Sequence, residues 1–174
     1  MLAGADLRPG DVVLEYGPGT GSLTRPIRRL LHAVGGVGYL GIEREPGFTE
    51  ILRREMPELT FVTGRVEDVE RLLVEHHLPP PKLVVSGLPL ILMQTMEPIV
   101  ATTAKILAGG GSFRTFSYVH SYPAPSAARL RRLMRTHFDR FSIRGPVARN
   151  LPPALVLRGD VLGTGAAAAG FVDS

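Results

Sequence analysis

Short apolar runs alternate with amphipathic stretches along nearly the whole chain. Runs at residues 11–16, 37–43, 59–63, 82–86 and 112–118 predict five strands. Between them, residues 22–33, 46–56, 67–77, 97–107 and 126–138 repeat apolar positions at helical spacing and predict five helices. In the first helix Leu23, Ile27, Leu30 and Leu31 share a face; in the last, Leu130, Leu133, Met134 and Phe138 do. Pro9-Gly10, Gly35-Gly36, Leu78-Pro79-Pro80-Pro81 and Gly109-Gly110-Gly111 punctuate the series. Pro26 fits the first helix only if that helix starts late, near Thr24, or has a distorted first turn. Two further strands, 141–147 and 154–158, follow with no helix between them, only Arg149-Asn150-Leu151-Pro152-Pro153. They predict an antiparallel hairpin. The Gly/Ala-rich residues 159–174 predict a frayed tail.

Alternating strands and helices imply an α/β fold: a Rossmann-like, doubly wound, mostly parallel seven-stranded sheet with an antiparallel C-terminal hairpin. One domain over residues 1–158 accommodates it. In such sheets ligands bind at the carboxyl ends of the strands, where the strand order reverses, so the loops after the first four strands are the candidate site.

Composition narrows the chemistry. The chain has 174 residues and no Cys, which removes disulfides, thiolate metal sites and a Cys nucleophile. Its start, Met1-Leu2-Ala3-Gly4-Ala5-Asp6, lacks the pattern of a signal peptide. No apolar run approaches the roughly 18 residues of a membrane span, so a cytoplasmic chain is expected. No metal-ligand spacing and no G-x-S-x-G occurs, and His76-His77 reads as an exposed helix end. Charge is uneven: residues 1–97 hold 10 basic and 13 acidic side chains, and residues 98–174 hold 10 basic and 3 acidic. The basic half suggests an anionic partner, phospholipid or nucleic acid. An arginine-rich coding bias would give the same count, with 18 Arg against 2 Lys.

The first strand runs into Glu15-Tyr16-Gly17-Pro18-Gly19-Thr20-Gly21. Glycines at 17, 19 and 21 permit a tight turn and close approach of a ligand, and the loop opens a helix N-terminus. The spacing is G-x-G-x-G, unlike the G-x-G-x-x-G of dinucleotide sites. Glu43 ends the second strand 22 residues after Gly21, the usual place of an acid that binds ribose hydroxyls.

With its acid two residues before the first glycine, this loop resembles that of S-adenosylmethionine (SAM)-dependent methyltransferases. The resemblance implies a SAM site built from Glu15, Tyr16, Gly17, Gly19, Thr20 and Gly21 around the methionine part. Glu43 and Arg44, then Arg65 and Val66 after the third strand, and Ser86, Gly87 and Leu88 after the fourth, complete it. Tyr16 either shields the sulfonium or simply packs. The acceptor faces Ser86-Gly87-Leu88-Pro89-Leu90. Adenine N6-methyltransferases resemble this region but carry Asn/Asp-x-Pro-aromatic, whose amide and aromatic read a flipped base. Gly87 and Leu90 stand at those two positions.

The stretch Val84-Val85-Ser86-Gly87-Leu88-Pro89-Leu90, with Phe116-Ser117-Tyr118 and Asn150-Leu151-Pro152-Pro153-Ala154, is similar to bacterial phospholipid N-methyltransferases, relatives of the ribosomal RNA adenine dimethylases. That likeness covers about residues 9–158. It implies methylation of the phosphatidylethanolamine amine by an enzyme that visits an anionic membrane surface peripherally. Tyr118 and His120, past strand five, are then candidates for holding the phosphate or the amine, and the arginine face of the 126–138 helix for lying on headgroups. Solvated or half-buried structural roles are the alternatives for all three. Two departures stand out. The family places an acid or Ser where this chain has Arg65, a donor that cannot accept, leaving Glu67, Asp68 or the backbone beside Val66 for that role. The family also has a helical segment ahead of the first strand, where only residues 1–10 stand here. An RNA adenine methyltransferase, and a relative impaired in SAM binding, are the alternative readings.

Overall fold

The computed structural model describes residues 1–147 and 152–163. Its elements, in chain order, are β1 (Val12–Tyr16), α1 (Thr24–Val34), β2 (Gly38–Glu43), α2 (Pro46–Glu55), β3 (Thr60–Thr63), α3 (Val69–Glu75), β4 (Leu83–Ser86), α4 (Met96–Ile106), β5 (Gly111–Tyr118), α5 (Pro125–His137), β6 (Arg140–Val147) and β7 (Ala154–Val161). They form one seven-stranded sheet in the order β3-β2-β1-β4-β5-β7-β6. Strands β1 to β5 pair in parallel; β7 pairs antiparallel with both β5 and β6. The order reverses between β1 and β4, so a crevice opens above Tyr16 and Ser86, which lie side by side.

The strands of the parallel half are apolar on both sides because helices cover both faces. On one face Val12, Leu14 and Tyr16 pack with Val84, Phe113 and the apolar sides of α3, α4 and α5. On the other, Val13, Leu83 and Val85 pack with Tyr39, Phe61 and residues of α1 and α2. The apolar face read for α5 is this contact: Leu130, Leu133, Met134 and Phe138 are buried.

Element boundaries differ where capping decides them. α1 begins at Thr24 after a turn closed by Gly21 N–H donating to Pro18 O (2.9 Å). Pro26 then sits in the first turn, where a missing N–H costs nothing. The expected helix over 67–77 is split: a 3-10 turn covers Val66–Asp68 and α3 follows. β7 continues to Val161, three residues into the segment read as a tail. Gly111–Phe113 of β5 and Arg140–Phe141 of β6 flank those residues and supply ladder partners. Asn150-Leu151, part of the phospholipid-type signature, and residues 164–174 of the expected tail lie outside the described residues.

Candidate active site

Three loops meet above the switch point. After Tyr16 the chain turns on Gly17, whose φ of +66° is open to glycine at little cost and whose N–H donates to Ile42 O at 2.9 Å. A Cβ there would stand 2.5 Å from Leu88 Cδ2. The loop after β4 presses from the other side: Gly87 N–H donates to Tyr16 O (2.8 Å), and a Cβ on Gly87 would stand 2.7 Å from Gly17 O. The two loops therefore touch backbone to backbone, and only glycine fits.

Glu43 ties the third loop in. One carboxylate oxygen accepts from Gly19 N–H (2.9 Å) and the other from Glu45 N–H (3.0 Å). Each oxygen keeps a lone pair for a further donor. The side chain is 9% exposed and lines a cleft of about 240 Å³ with Arg44, Arg65, Val66 and Leu88. On the other side of Gly17 lies a larger cleft of about 620 Å³, lined by Met1, Leu2, Gly19, Thr20, Gly87, Phe116 and Tyr118 among others. A third, apolar cleft of about 270 Å³ adjoins it, shares Phe116 and Tyr118, and adds Ile91, Leu92 and His120. Tyr118 and His120 stack with ring centres 5.5 Å apart.

Several sequence-derived site residues are not at these walls. Glu15 is fully buried beneath the loop and accepts from Tyr39 Oη at 2.6 Å. Its position on β1 turns it towards α1, so it supports the loop from below. Burial pushes its carboxyl up to about 7, against the pull of the Tyr39 hydroxyl and with a contribution from the Glu43 charge. Its Oε1 and the buried Thr24 Oγ1 both lack a hydrogen-bond partner. Tyr16 packs rather than shields: it is fully buried against Phe113, with its hydroxyl 3.3 Å from Thr103 Oγ1. Ser86 is buried too, its Oγ accepting from Leu88 N–H (3.2 Å). Gly21 is buried in the turn that starts α1.

Arg65 lines the smaller cleft, but its guanidinium donates to Glu67 Oε1 (3.1 Å). Burial alone would raise the Glu67 carboxyl. Hydrogen bonds from its own backbone, Thr95 and Arg65 outweigh that and hold it below the usual range. Glu67 is thus an ionised acceptor on the cleft wall, whereas Asp68 pairs with Arg71 (3.5 Å) outside it. The sequence reading missed Phe116 and the segment from Met1. Phe116 shares the parity of Tyr118 along β5, which was the available signal. Nothing in the sequence marks Met1 and Leu2. They are held by Arg114 on β5, 2% exposed, which donates to the carbonyls of Met1 (2.7 Å), Ala3 (3.1 Å) and Gly4 (3.1 Å).

Three of the four α5 arginines are engaged within the chain, and Arg132 is exposed. Arg129 pairs with Glu97 (2.6 Å), Arg131 lies 4.0 Å from the Tyr122 ring centre, and Arg135 lies over Phe141. The helix does not present a free basic face for headgroups. No helix among the described residues is long and apolar enough to cross a membrane.

The fold is that of the class I SAM-dependent methyltransferases. It matches the precorrin-6y C5,15-methyltransferase of Geobacter metallireducens with a TM-score of 0.67 at 14% identity, covering 92% of this chain and 85% of that one. SAM-bound magnesium protoporphyrin IX methyltransferase from Synechocystis PCC 6803 gives 0.64 at 17% identity, covering 88% and 71%. In sequence, the chain is 31% identical over 115 residues to the mitochondrial ribosomal RNA small subunit methyltransferase of Arabidopsis thaliana, 66% of this chain and 27% of that protein. It is 35% identical over 64 residues to ribosomal RNA small subunit methyltransferase A of Chlorobium phaeobacteroides, 37% of this chain and 22% of that protein. The chain thus spans about a quarter of the length of these curated relatives. No family model matches it. The expected likeness to phospholipid N-methyltransferases is corrected here: the relatives similar in sequence are ribosomal RNA small subunit methyltransferases.

Proposed function

We propose that the chain is the cofactor-binding part of a SAM-dependent methyltransferase that modifies an exocyclic amine of RNA, adenine N6 being the first candidate. The observation that carries the SAM reading is the meeting of two clefts at Gly17, with a ribose-type acid, Glu43, on one wall. The residues present fit the cofactor: Glu43 has free lone pairs for ribose hydroxyls, and the ionised Glu67 is an acceptor for the adenine amine that Arg65 cannot provide. Gly17, Gly19 and Thr20 leave room for the methionine part in the larger cleft. Bound SAM supplies a methyl group already activated on sulfonium. The chain's part is to orient the acceptor in line and exclude water.

The acceptor follows from what the larger cleft lacks. Tyr118 is the one titratable side chain among the described residues that line it. A phospholipid ammonium must lose a proton before its nitrogen has a lone pair, and the nearest imidazole, His120, lines the adjoining cleft behind Tyr118 rather than this one. The exocyclic amine of adenine is neutral at the outset. Gly87 and the buried Leu90 do not supply the usual amide and aromatic. Phe116 and Tyr118 offer aromatic faces in their place, on the strand next to β4. Similarity to ribosomal RNA methyltransferases supports the same acceptor.

The phospholipid reading retains one observation in its favour, the apolar third cleft with Leu92 78% exposed at its rim. Calorimetry with SAM, followed by transfer of labelled methyl to small-subunit ribosomal RNA and to phosphatidylethanolamine vesicles, separates the readings. Methylated RNA and unmethylated lipid are expected; label in lipid alone would overturn the RNA assignment. No SAM binding at millimolar concentration would leave the impaired relative as the answer.

A further inference from the structure

The basic half of the chain has to be accounted for, and α5 does not do it. Apart from Arg132, the cations described in that half and not otherwise paired gather with Arg158 on the opposite side of the sheet, on the face that α1 and α2 cover over β1 to β3. Over β5, β7 and β6 this face is crossed by residues 1–8, which form no helix. Strand register fixes what it displays. Ser112, Asp160 and Arg140 form one row across the three strands; Arg114, Arg158 and Ser142 form the next; Phe116, Val156 and Arg144 form the third. A cleft of about 240 Å³ opens over the first two rows, with Lys82 on its rim.

The charges are poorly balanced. Arg114 stands directly opposite Arg158, an arrangement of like charges that destabilises a sheet. Burial, with repulsion from Arg158 and Arg144, brings the Arg114 guanidinium down to about 10. The cleft is lined by four cations, Lys82, Arg114, Arg140 and Arg158, and two carboxylates, Asp6 and Asp160, and Asp160 is already held by Arg158 Nε at 2.9 Å; Arg144 stands in the next row. Four hydrogen bonds engage Arg114, which has five N–H donors. Such a cluster asks for an anion. The two cationic rows present guanidinium forks and serine hydroxyls, and of the described apolar side chains at this cleft Leu162 alone is exposed, too little to enter a lipid layer, which favours phosphate oxygens on a polymer over a membrane. The face is continuous with the active site: Tyr118 lies four residues beyond Arg114 on the same side of β5, about 13 Å away.

We propose that this guanidinium-lined sheet face, with Arg140, Arg144 and Arg158 as its contacting groups and Arg114 buried beneath the first residues as a fixed positive charge, binds phosphodiester groups of the RNA strand whose base enters the cleft at Tyr118. The assignment rests on the RNA reading of the active site. It makes β5 a ruler, with backbone contacts at its start and the reacting base at its end.

Fluorescence anisotropy with a labelled single-stranded RNA, titrated from about 50 to 200 mM salt, tests it. The double variant Arg140→Gln/Arg144→Gln removes two exposed charges from the edge strand. Arg29→Gln/Arg132→Gln, on exposed positions of α1 and α5, makes the same change in net charge elsewhere. The loss of affinity across that salt range should shrink about sevenfold in the first variant. It should change little in the second, and SAM binding by calorimetry should be equal in all three proteins. Salt dependence unaltered in the first variant, or altered equally in both, overturns the proposal while the RNA assignment stands. An unsubstituted chain that binds no RNA at the lowest salt, or binds phosphatidylglycerol vesicles in its place, overturns both.

Discussion

Glu15 holds its proton into a range where ordinary carboxyl groups have lost theirs. The side chain is fully buried, one oxygen takes a 2.6 Å hydrogen bond from Tyr39, and the other has no partner. Burial outweighs the Tyr39 bond and moves the carboxyl from 4.5 to about 7. An acid whose value is raised on folding is bound to its proton more tightly in the native state. Between pH 4.5 and 7 the native chain therefore carries more protons than the unfolded chain, and stability falls as pH rises. The contribution is complete below 4.5 and gone above about 7. At about 1.4 kcal/mol per pH unit this amounts to about 3 kcal/mol.

Glu15→Gln keeps the shape and removes the ionisation. Its amide oxygen accepts from Tyr39, and its amide N–H finds the unpartnered Thr24 hydroxyl. The variant should match the parent near pH 4.5 and exceed it by about 3 kcal/mol near pH 8.5. For a chain of this size that is a divergence of about 6–12 °C in Tm. Urea unfolding of both proteins across this range measures it, because carboxylates common to both cancel in the difference. Glu58 and Glu67, held below their usual values, act in the opposite sense and at lower pH. A difference between variant and parent that stays constant with pH would refute the account of Glu15 as a buried, proton-holding support.

Gly87→Ala should lower stability by about 1–3 kcal/mol and abolish SAM binding, since its Cβ would stand 2.7 Å from a backbone oxygen that cannot rotate away; thermal unfolding and calorimetry report the two effects. Glu43→Ala frees the Gly19 and Glu45 N–H groups and should weaken SAM binding by about tenfold to a hundredfold, read by calorimetry. Arg114→Met releases three carbonyls of residues 1–4, and amide hydrogen exchange over this segment should quicken while exchange in β1 does not. Tyr118→Ala should reduce methyl transfer to RNA without changing SAM affinity, measured with labelled SAM.

Most of the fold could be read from the chain because its rules are local. The runs at β1, β2, β4 and β5 are bounded by Gly and Pro, and the strand–helix alternation admits few topologies. What escaped was decided by partners far away in sequence. β7 runs past Arg158 because β5 and β6 extend beside it, and no propensity in Gly159-Asp160-Val161 announces that. Residues 1–8 look like a loose lead-in until a buried arginine more than a hundred positions later is found to grip their carbonyls.

The site divides along the same line. Gly17, Gly19 and Glu43 were legible because their spacing reflects a backbone geometry that the residues themselves create. Glu15 and Tyr16 were legible as members of the motif but not in their roles, since a β-strand turns successive side chains to opposite faces. Tyr16 enters the core beneath α4, and Glu15 enters the space beneath α1. Parity also separates the two sides of β5. Phe113 faces α5, whereas Arg114, Phe116 and Tyr118 face the other side, where residues 1–4 cover Arg114 and the larger cleft takes in Phe116 and Tyr118. A count of arginines over residues 98–174 points to an anionic partner but does not say which element would meet it. The helix has the denser run of arginines, whereas the sheet sets two of them, Arg114 and Arg158, directly opposite each other with one acid, Asp160, beside them.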